Sequence, residues 1–433
     1  MIDCAEYYEF IEAHADERVE DLALRLAAFP PEARTFILRQ IEGRQRLRAK
    51  VPSWCEVPRL HFPPRLSLEQ CSGEVTAHYK AALVERWVEN LEKPVLVDLT
   101  GGLGVDFSFM ATPCAEAVYV ERNPELVELA AHNFPLLGLT HVRTVHADAL
   151  AYLSSLSPVD ILFLDPARRD EIGRKVVRIE ACEPDVCALS EALRSCCRHL
   201  LIKLSPMLDV RDALERLPGI EAVHIVAVDG ECKEVLLCCR GLLHAEPDGL
   251  APTEVPITCV DLSSTDRRPP HSFTFTLSAE SIAPLRLAAT PVGWLYEPNA
   301  AVLKAGAYRT LAQQFDLDAL HPNTHLYIGG GEAPRWDFPG RVFRLREVVG
   351  FSKSEMRPLA SLKQVNLAVR NFPATVAELR KRFKWGEGGD LYLFACTLSD
   401  GKKAILVAEK IKKVRLQIAD IQRRNNFVEK KMK

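Results

Sequence analysis

Val95-Leu96-Val97-Asp98-Leu99-Thr100-Gly101-Gly102-Leu103-Gly104-Val105-Asp106 is the stretch on which the fold turns. A short apolar run ending in an acid, then a glycine-rich turn, then a renewed apolar run predicts a buried strand, a tight loop and the start of a helix. A loop without side chains lets a ligand approach the backbone. Nicotinamide binding would need a third glycine three positions after Gly104, where the chain has Phe107, and a P-loop would need Gly-Lys-Ser/Thr.

Working outward, short apolar runs alternate with amphipathic segments. Strands are expected at 95–99, 117–120, 142–146, 161–164 and 200–203 with helices between them, a doubly wound α/β arrangement whose parallel sheet is covered on both faces. The run 223–228, the dipeptide Asp229-Gly230 and the run 235–239 then predict a hairpin, which closes the sheet with an antiparallel strand. Four successive strands are followed by an acid: Asp98, Glu121, Asp148 and Asp165. Ligands of open α/β sheets bind at that carboxyl edge. Asp98 is awkward for a pyrophosphate and favourable for an ammonium or sulfonium, which S-adenosylmethionine carries. Glu121 is placed to accept ribose hydroxyls and Asp148 to accept from an adenine amino group. Each acid alone also reads as a helix N-cap, and it is the set of four that points to a site.

Over roughly 67–241 the sequence resembles the class I S-adenosylmethionine-dependent methyltransferases, on the glycine loop, the acids after strands two and three, Asp165-Pro166 after strand four and the final hairpin. The whole chain resembles a narrower bacterial group with a ferredoxin-like middle domain and a THUMP-like C-terminal domain. The residues that carry this are Glu69-Gln70-Cys71-Ser72-Gly73-Glu74-Val75-Thr76, Asp165-Pro166-Ala167-Arg168-Arg169, Tyr296-Glu297-Pro298-Asn299-Ala300-Ala301, and Glu387-Gly388-Gly389-Asp390 with Leu391-Tyr392-Leu393-Phe394. The resemblance implies a helical segment and linker at 1–66, a seven-stranded Rossmann-like domain at 67–243, a ferredoxin-like α+β domain at 257–360 and a basic THUMP-like domain at 361–433. It implies S-adenosylmethionine as cofactor, held by Gln70, Thr76, Asp98, Thr100, Gly101, Gly102, Gly104, Glu121, Arg122, Asp148, Ala149 and Asp165. Ser72 reads either as a further contact to the methionyl group or as a helix cap.

The acceptor is addressed by Asp165-Pro166-Ala167-Arg168. Enzymes that methylate adenine amines carry an aromatic at the fourth position, and pyrimidine C5 enzymes need a cysteine here or after strand five. This chain has Arg168, and Ile202-Lys203-Leu204-Ser205-Pro206-Met207 after strand five, so covalent C5 chemistry is disfavoured. Asp165-Pro166 with Lys203 before a proline resembles a bacterial ribosomal guanine-N2 methyltransferase. Direct in-line transfer to a nitrogen or oxygen follows, with Asp165 and the Pro166 carbonyl orienting the acceptor and Arg168, Arg169 and Lys203 holding a phosphate or carbonyl. Those cations read equally as surface partners of Asp170 and Glu171.

Composition bounds the rest. The 433 residues, 48% hydrophobic and 26% charged, exclude a disulfide scaffold or a disordered chain. No apolar run spans a membrane and the acidic start is unlike a signal peptide, so a cytoplasmic protein is expected. Thirteen cysteines without a Cys-x-x-Cys pair and dispersed histidines give no expectation of a metal. Net charge is −3, yet 363–433 holds 17 Lys and Arg against 7 Asp and Glu. Such a stretch is either a solvated terminal helix or a polyanion-binding domain. Lys381, Arg382, Lys384, Lys402 and Lys403, interleaved with Trp385, are the RNA-binding candidates, although Trp385 also reads as core. The expected function is methylation of a structured RNA, tRNA or rRNA. The alternatives are a protein or small-molecule acceptor, or a non-catalytic S-adenosylmethionine-binding module.

Overall fold

The structure, a computed structural model, describes residues 5–168, 178–243, 249–265 and 272–411. Arg169, Asp170 and Glu171, residues 266–271 and the basic stretch beyond Ile411 lie outside the described residues. The chain divides into two compact units, Met1–Ser278 and Ala279–Lys433.

The first unit is built on nine strands: β1 (Val95–Asp98), β2 (Glu116–Glu121), β3 (Val142–His146), β4 (Val159–Leu164), β5 (Cys197–Leu204), β6 (Ile220–Val228), β7 (Glu231–Arg240), β8 (Ile257–Leu262) and β9 (Ser272–Phe275). Their order is β9-β8-β6-β7-β5-β4-β1-β2-β3. Strands β1 to β5 are parallel to one another, and β7 runs antiparallel between β5 and β6. This is the expected topology. The central strands are apolar on both faces because helices cover both, and Leu96, Phe107, Tyr119, Phe134, Ile161, Phe163 and Leu201 form one buried cluster. Each such side chain stabilises by about 1.5–3 kcal/mol. The β6–β7 turn places Asp229 (φ 51°) and Gly230 (φ 82°) both in the left-handed region, which matches a two-residue hairpin.

The first departure lies at the far edge of this sheet. The segments 257–262 and 272–275 do not open a second domain; β8 pairs parallel with β6 and β9 pairs antiparallel with β8. Without them β6 would present an open row of amides and carbonyls, and the apolar β8 covers it. The Rossmann-like sheet therefore has nine strands instead of seven.

The N-terminal segment is helical, with Tyr8, Ile11, Leu22, Leu26, Phe36, Ile37 and Ile41 in a small core of their own. The proline-rich arm contains a short helix, Pro52–Glu56, and then runs extended. It docks on the helix Pro124–Leu136, where Asn133 accepts from the His61 amide (2.8 Å) and donates to the His61 carbonyl (2.8 Å).

The second unit has β10 (Trp294–Pro298), β11 (Asp318–Ala319), β12 (Tyr327–Gly329), β13 (Gly340–Gly350), β14 (Gln364–Arg370), β15 (Gly386–Thr397) and β16 (Lys403–Lys410). They make one sheet in the order β11-β12-β10-β13-β16-β15-β14. The boundary expected at 360 is thus absent: β13 pairs with β10 on one side and β16 on the other, so a single sheet spans both segments. Between β10 and β11 lie two helices, Ala300–Ala305 and Arg309–Gln314, because Gly306 (φ 74°) ends the first in a left-handed cap.

Candidate active site

The strand order of the first sheet switches between the parallel neighbours β1 and β4, with later strands added outward on opposite sides, and the loops after these two strands meet there. Thr100 joins them, since its Oγ1 accepts from the Asp165 amide (2.7 Å) while its own amide donates to Asp98 Oδ1 (2.8 Å). The glycines each have a distinct reason. A Cβ on Gly101 would stand 2.1 Å from the Tyr119 ring, so the loop can lie flat on that ring only with glycine. Gly104 needs φ 83° and begins the helix Val105–Met110. On Gly102 (φ 55°) a Cβ would meet nothing closer than the Thr100 carbonyl at 3.8 Å, so this side of the loop is open.

The acids behind the strands have unlike surroundings. Glu121 is half-buried, and its two oxygens accept from the Gly102 amide (2.8 Å) and the Asn123 amide (2.8 Å). Asp148 is exposed and caps the helix Ala149–Leu153, with Oδ1 accepting from the Leu150 and Ala151 amides; Ala149 is half-buried. Asp98 corrects the expectation that its charge faces the ligand. It is 1% exposed. Burial, together with the nearby Asp106 and Asp165, pushes its carboxyl well above the usual range, although the Thr100 amide opposes the shift. It braces the glycine loop from below.

Behind the loop runs an internal chain of charges that no sequence motif announces. Lys203, expected to face a phosphate, donates to Ser72 Oγ (2.9 Å), Asp106 Oδ2 (3.0 Å) and Asp165 Oδ2 (2.5 Å). Asp106 also accepts from Ser72 (2.6 Å), and its Oδ1 faces Lys80 Nζ at 3.1 Å. Lys80, fully buried, donates to both oxygens of Glu234 at 2.6 and 2.7 Å. Burial alone would push Asp106 up and Lys203 down. The mutual attraction outweighs it, holding Asp106 well below and Lys203 well above their ordinary values, while burial leaves Glu234 raised. Ser72 is consequently not the helix cap; Gly73 occupies that position before the helix Glu74–Val88. Lys80, Asp106 and Glu234 carry no motif signal, but lysine and glutamate inside otherwise apolar runs, at 80 and 234, were readable as buried charges.

Other expected residues scatter. Pro166 is buried, and Ala167–Arg168 pairs with Cys182–Glu183 in a two-residue ladder. Arg122 is exposed and bonded to Glu183 (3.0 Å). Gln70 is exposed at the end of the helix Arg65–Gln70, whereas Thr76 is buried and donates to the Gly73 carbonyl (3.0 Å).

In the second unit the RNA-binding candidates are not brought together. Lys381, Arg382 and Lys384 lie at the end of the helix Val376–Phe383 that leads into β15, and Lys402 and Lys403 at the turn that follows β15. Strand β15 lies between them, and since a bulge lets its residues 386–396 pair with only the seven residues of β14, it spans about 20 Å. Arg382 sits over Phe351 and Phe383, Lys402 pairs with Asp400 (2.8 Å), and Lys403 donates to Thr397 (2.6 Å). Trp385 is core, 3% exposed, with its indole N–H on the Leu359 carbonyl (3.0 Å). The Tyr296-Glu297-Pro298-Asn299 motif is also structural. Glu297 is buried and takes Arg341 and Arg370, and Asn299 caps its helix by accepting from Val302 (3.0 Å).

Comparison with known proteins places these features in a family. Residues 294–339 match a ferredoxin-like domain model and residues 340–410 a THUMP-like one. A solved Porphyromonas gingivalis structure assigned to the methyltransferases superposes with a TM-score of 0.83 at 36% identity, covering 95% of this chain and all of that one. A Mycobacterium tuberculosis protein named as an S-adenosylmethionine-dependent methyltransferase is 24% identical over 79% of this chain and 86% of its own length. The ribosomal RNA small subunit methyltransferase J of Acinetobacter baumannii is 35% identical over 128 residues, which span 27% of this chain and 41% of that enzyme. Among the described residues no helix is long and apolar enough to cross a membrane. With the doubly wound sheet, the glycine loop and a full-length relative in agreement, the chain belongs to the family of S-adenosylmethionine-dependent methyltransferases that carry ferredoxin-like and THUMP-like segments.

Proposed function

We propose that this methyltransferase modifies a nitrogen or oxygen of a structured RNA, with the acceptor at Asp165. The observation that carries this reading is the likeness to the ribosomal RNA small subunit methyltransferase J over 128 residues.

The residues present suit S-adenosylmethionine. The side of the loop at Gly102 is open, so backbone there can be approached, and carboxylates border it at Glu121 and Asp148. An ionised carboxylate has about four acceptor positions, and Glu121 has committed two, so it can still accept ribose hydroxyls. Asp148 Oδ2 is left for the adenine amino group, while Thr100, Gly101 and Gly104 shape the loop. The bound cofactor supplies an electrophilic methyl group, whose bond to sulfur breaks as a bond to the acceptor nitrogen or oxygen forms, leaving a neutral thioether. Asp165 offers its exposed oxygen to the acceptor N–H or O–H, orients the lone pair toward the methyl group and takes up the proton released. Pro166 contributes its carbonyl beside it, and Arg168 follows on the same short ladder. The second unit, with its basic candidates, is assigned to RNA binding.

Tritiated-methyl transfer to total RNA from a strain lacking the protein tests this. Label in one RNA species is the expected result. Label confined to protein or small molecules would move the acceptor class, and an Asp165→Ala variant that retains transfer would remove Asp165 from the chemistry.

A further inference from the structure

Asp165 is the outer end of the alternating series Asp165–Lys203–Asp106–Lys80–Glu234. We infer that the four inner members are positioning residues that hold Asp165 as an oriented carboxylate at the acceptor edge. The inference rests on the assignment of Asp165 above and adds the machinery behind it.

Each lysine of the series is held from two sides, and Asp106 Oδ1 meets Lys80 as an ion pair without a hydrogen bond. An ammonium has three donors, and Lys203 spends them on Ser72, Asp106 and Asp165. Lys80 likewise faces Asp106 and both Glu234 oxygens, so neither lysine can turn toward a substrate without breaking a buried contact. The four inner side chains are 13% exposed or less, whereas Asp165 is 40% exposed. Only one of its oxygens is tied to Lys203; the other is turned out.

Burying such a series has no evident benefit for folding, because well-packed apolar side chains of similar volume are often as stable or more so. The arrangement is explained by what it does to the exposed end. Three carboxylates oppose two ammoniums, and in the low-dielectric interior the inner charges neutralise one another pairwise, so the unmatched negative charge is presented at Asp165. Asp98 lies beside it, its carboxyl pushed up by burial. Among the described residues the groups facing Asp165 are Lys203, Asp98 and Thr100, whose hydroxyl accepts from the Asp165 amide. Ser72 ties the same knot to the N-terminal segment, because Lys50 donates to the carbonyls of Leu68 (3.1 Å) and Glu69 (2.9 Å) and fixes the turn that carries Ser72.

The experiment combines crystal structures of wild type, Lys203→Met and Glu234→Gln with kcat and KM. In Lys203→Met the Asp165 carboxylate should leave its wild-type position, and kcat should fall by about tenfold or more with KM for RNA little changed. Lys203→Arg, which keeps a cation beside Asp165, should retain more of kcat than Lys203→Met. Glu234→Gln, which is isosteric and remote from the acceptor, should lower kcat by about fivefold or more with KM for RNA little changed. An Asp165 carboxylate unmoved in Lys203→Met, or a Glu234→Gln enzyme within about twofold of wild type, would overturn the inference. Should wild type label no RNA, the acceptor reading falls, and the crystallographic comparison still decides the positioning role because it needs no acceptor.

Discussion

Glu121 and Asp148 on one side, and Asp98 and Asp106 on the other, lie within one stretch of loop endings at the carboxyl edge of the same sheet, yet they are two kinds of acid. The outer pair is half-buried or exposed and bonded to backbone amides, with acceptor positions to spare. The inner pair is buried, one member pushed well above the usual carboxylate range by desolvation and the other held well below it between two lysines. A carboxylate at a strand end is thus a ligand contact only where something leaves it unsatisfied. The comparison is sharpened first by attacking the inner set. Lys80→Met leaves Glu234 without its buried partner and takes one of two from Asp106, which should destabilise the protein by about 3–5 kcal/mol in urea unfolding. The double variant Lys80→Met/Glu234→Leu should recover much of that loss, because an uncompensated charge is costlier than none. A single variant near wild-type stability would show the series to be solvated.

The outer set should fail differently. Glu121→Gln keeps one acceptor and sets an amide donor against either Gly102 N–H or Asn123 N–H. Each bond to an ionised carboxylate contributes about 1.5–3 kcal/mol. Calorimetry should report S-adenosylmethionine binding weakened by about ten- to a hundredfold, with a smaller change in unfolding free energy than for Lys80→Met. If stability falls as far and affinity does not, Glu121 braces the loop and nothing else.

How much of this was legible depended on the range of the physics involved. The glycine loop, the strand order and the Asp229-Gly230 turn are local or periodic and could be read directly. The acids were found but not sorted, since burial of Asp98 is decided by what covers it. Lys203 was found and misassigned, because its partners Asp106, Ser72 and Asp165 lie 97, 131 and 38 positions away in the chain. In the second unit β13 was missed as a strand. A bulge between Leu345 and Glu347 breaks its two-residue alternation, which removes the periodic signal. Trp385 among lysines read both as binding surface and as core, and the structure bears out the core reading.

Asp148 is the finest test, because its two oxygens divide the two readings between them. Oδ1 caps the helix Ala149–Leu153, and Oδ2 is the one assigned to the adenine amino group. Asparagine caps a helix about as well as aspartate, so Asp148→Asn should keep stability within a few tenths of a kcal/mol. Its amide nitrogen then replaces Oδ2 and presents a donor to a donor, which should weaken S-adenosylmethionine binding by about three- to tenfold. Asp148→Ala removes both functions and should add a loss of about 1 kcal/mol in unfolding to the same loss of affinity. Wild-type affinity in Asp148→Asn would leave this acid as a cap alone, on the structural side of the divide with Asp98, and reduce the ligand-facing set to Glu121 and Asp165.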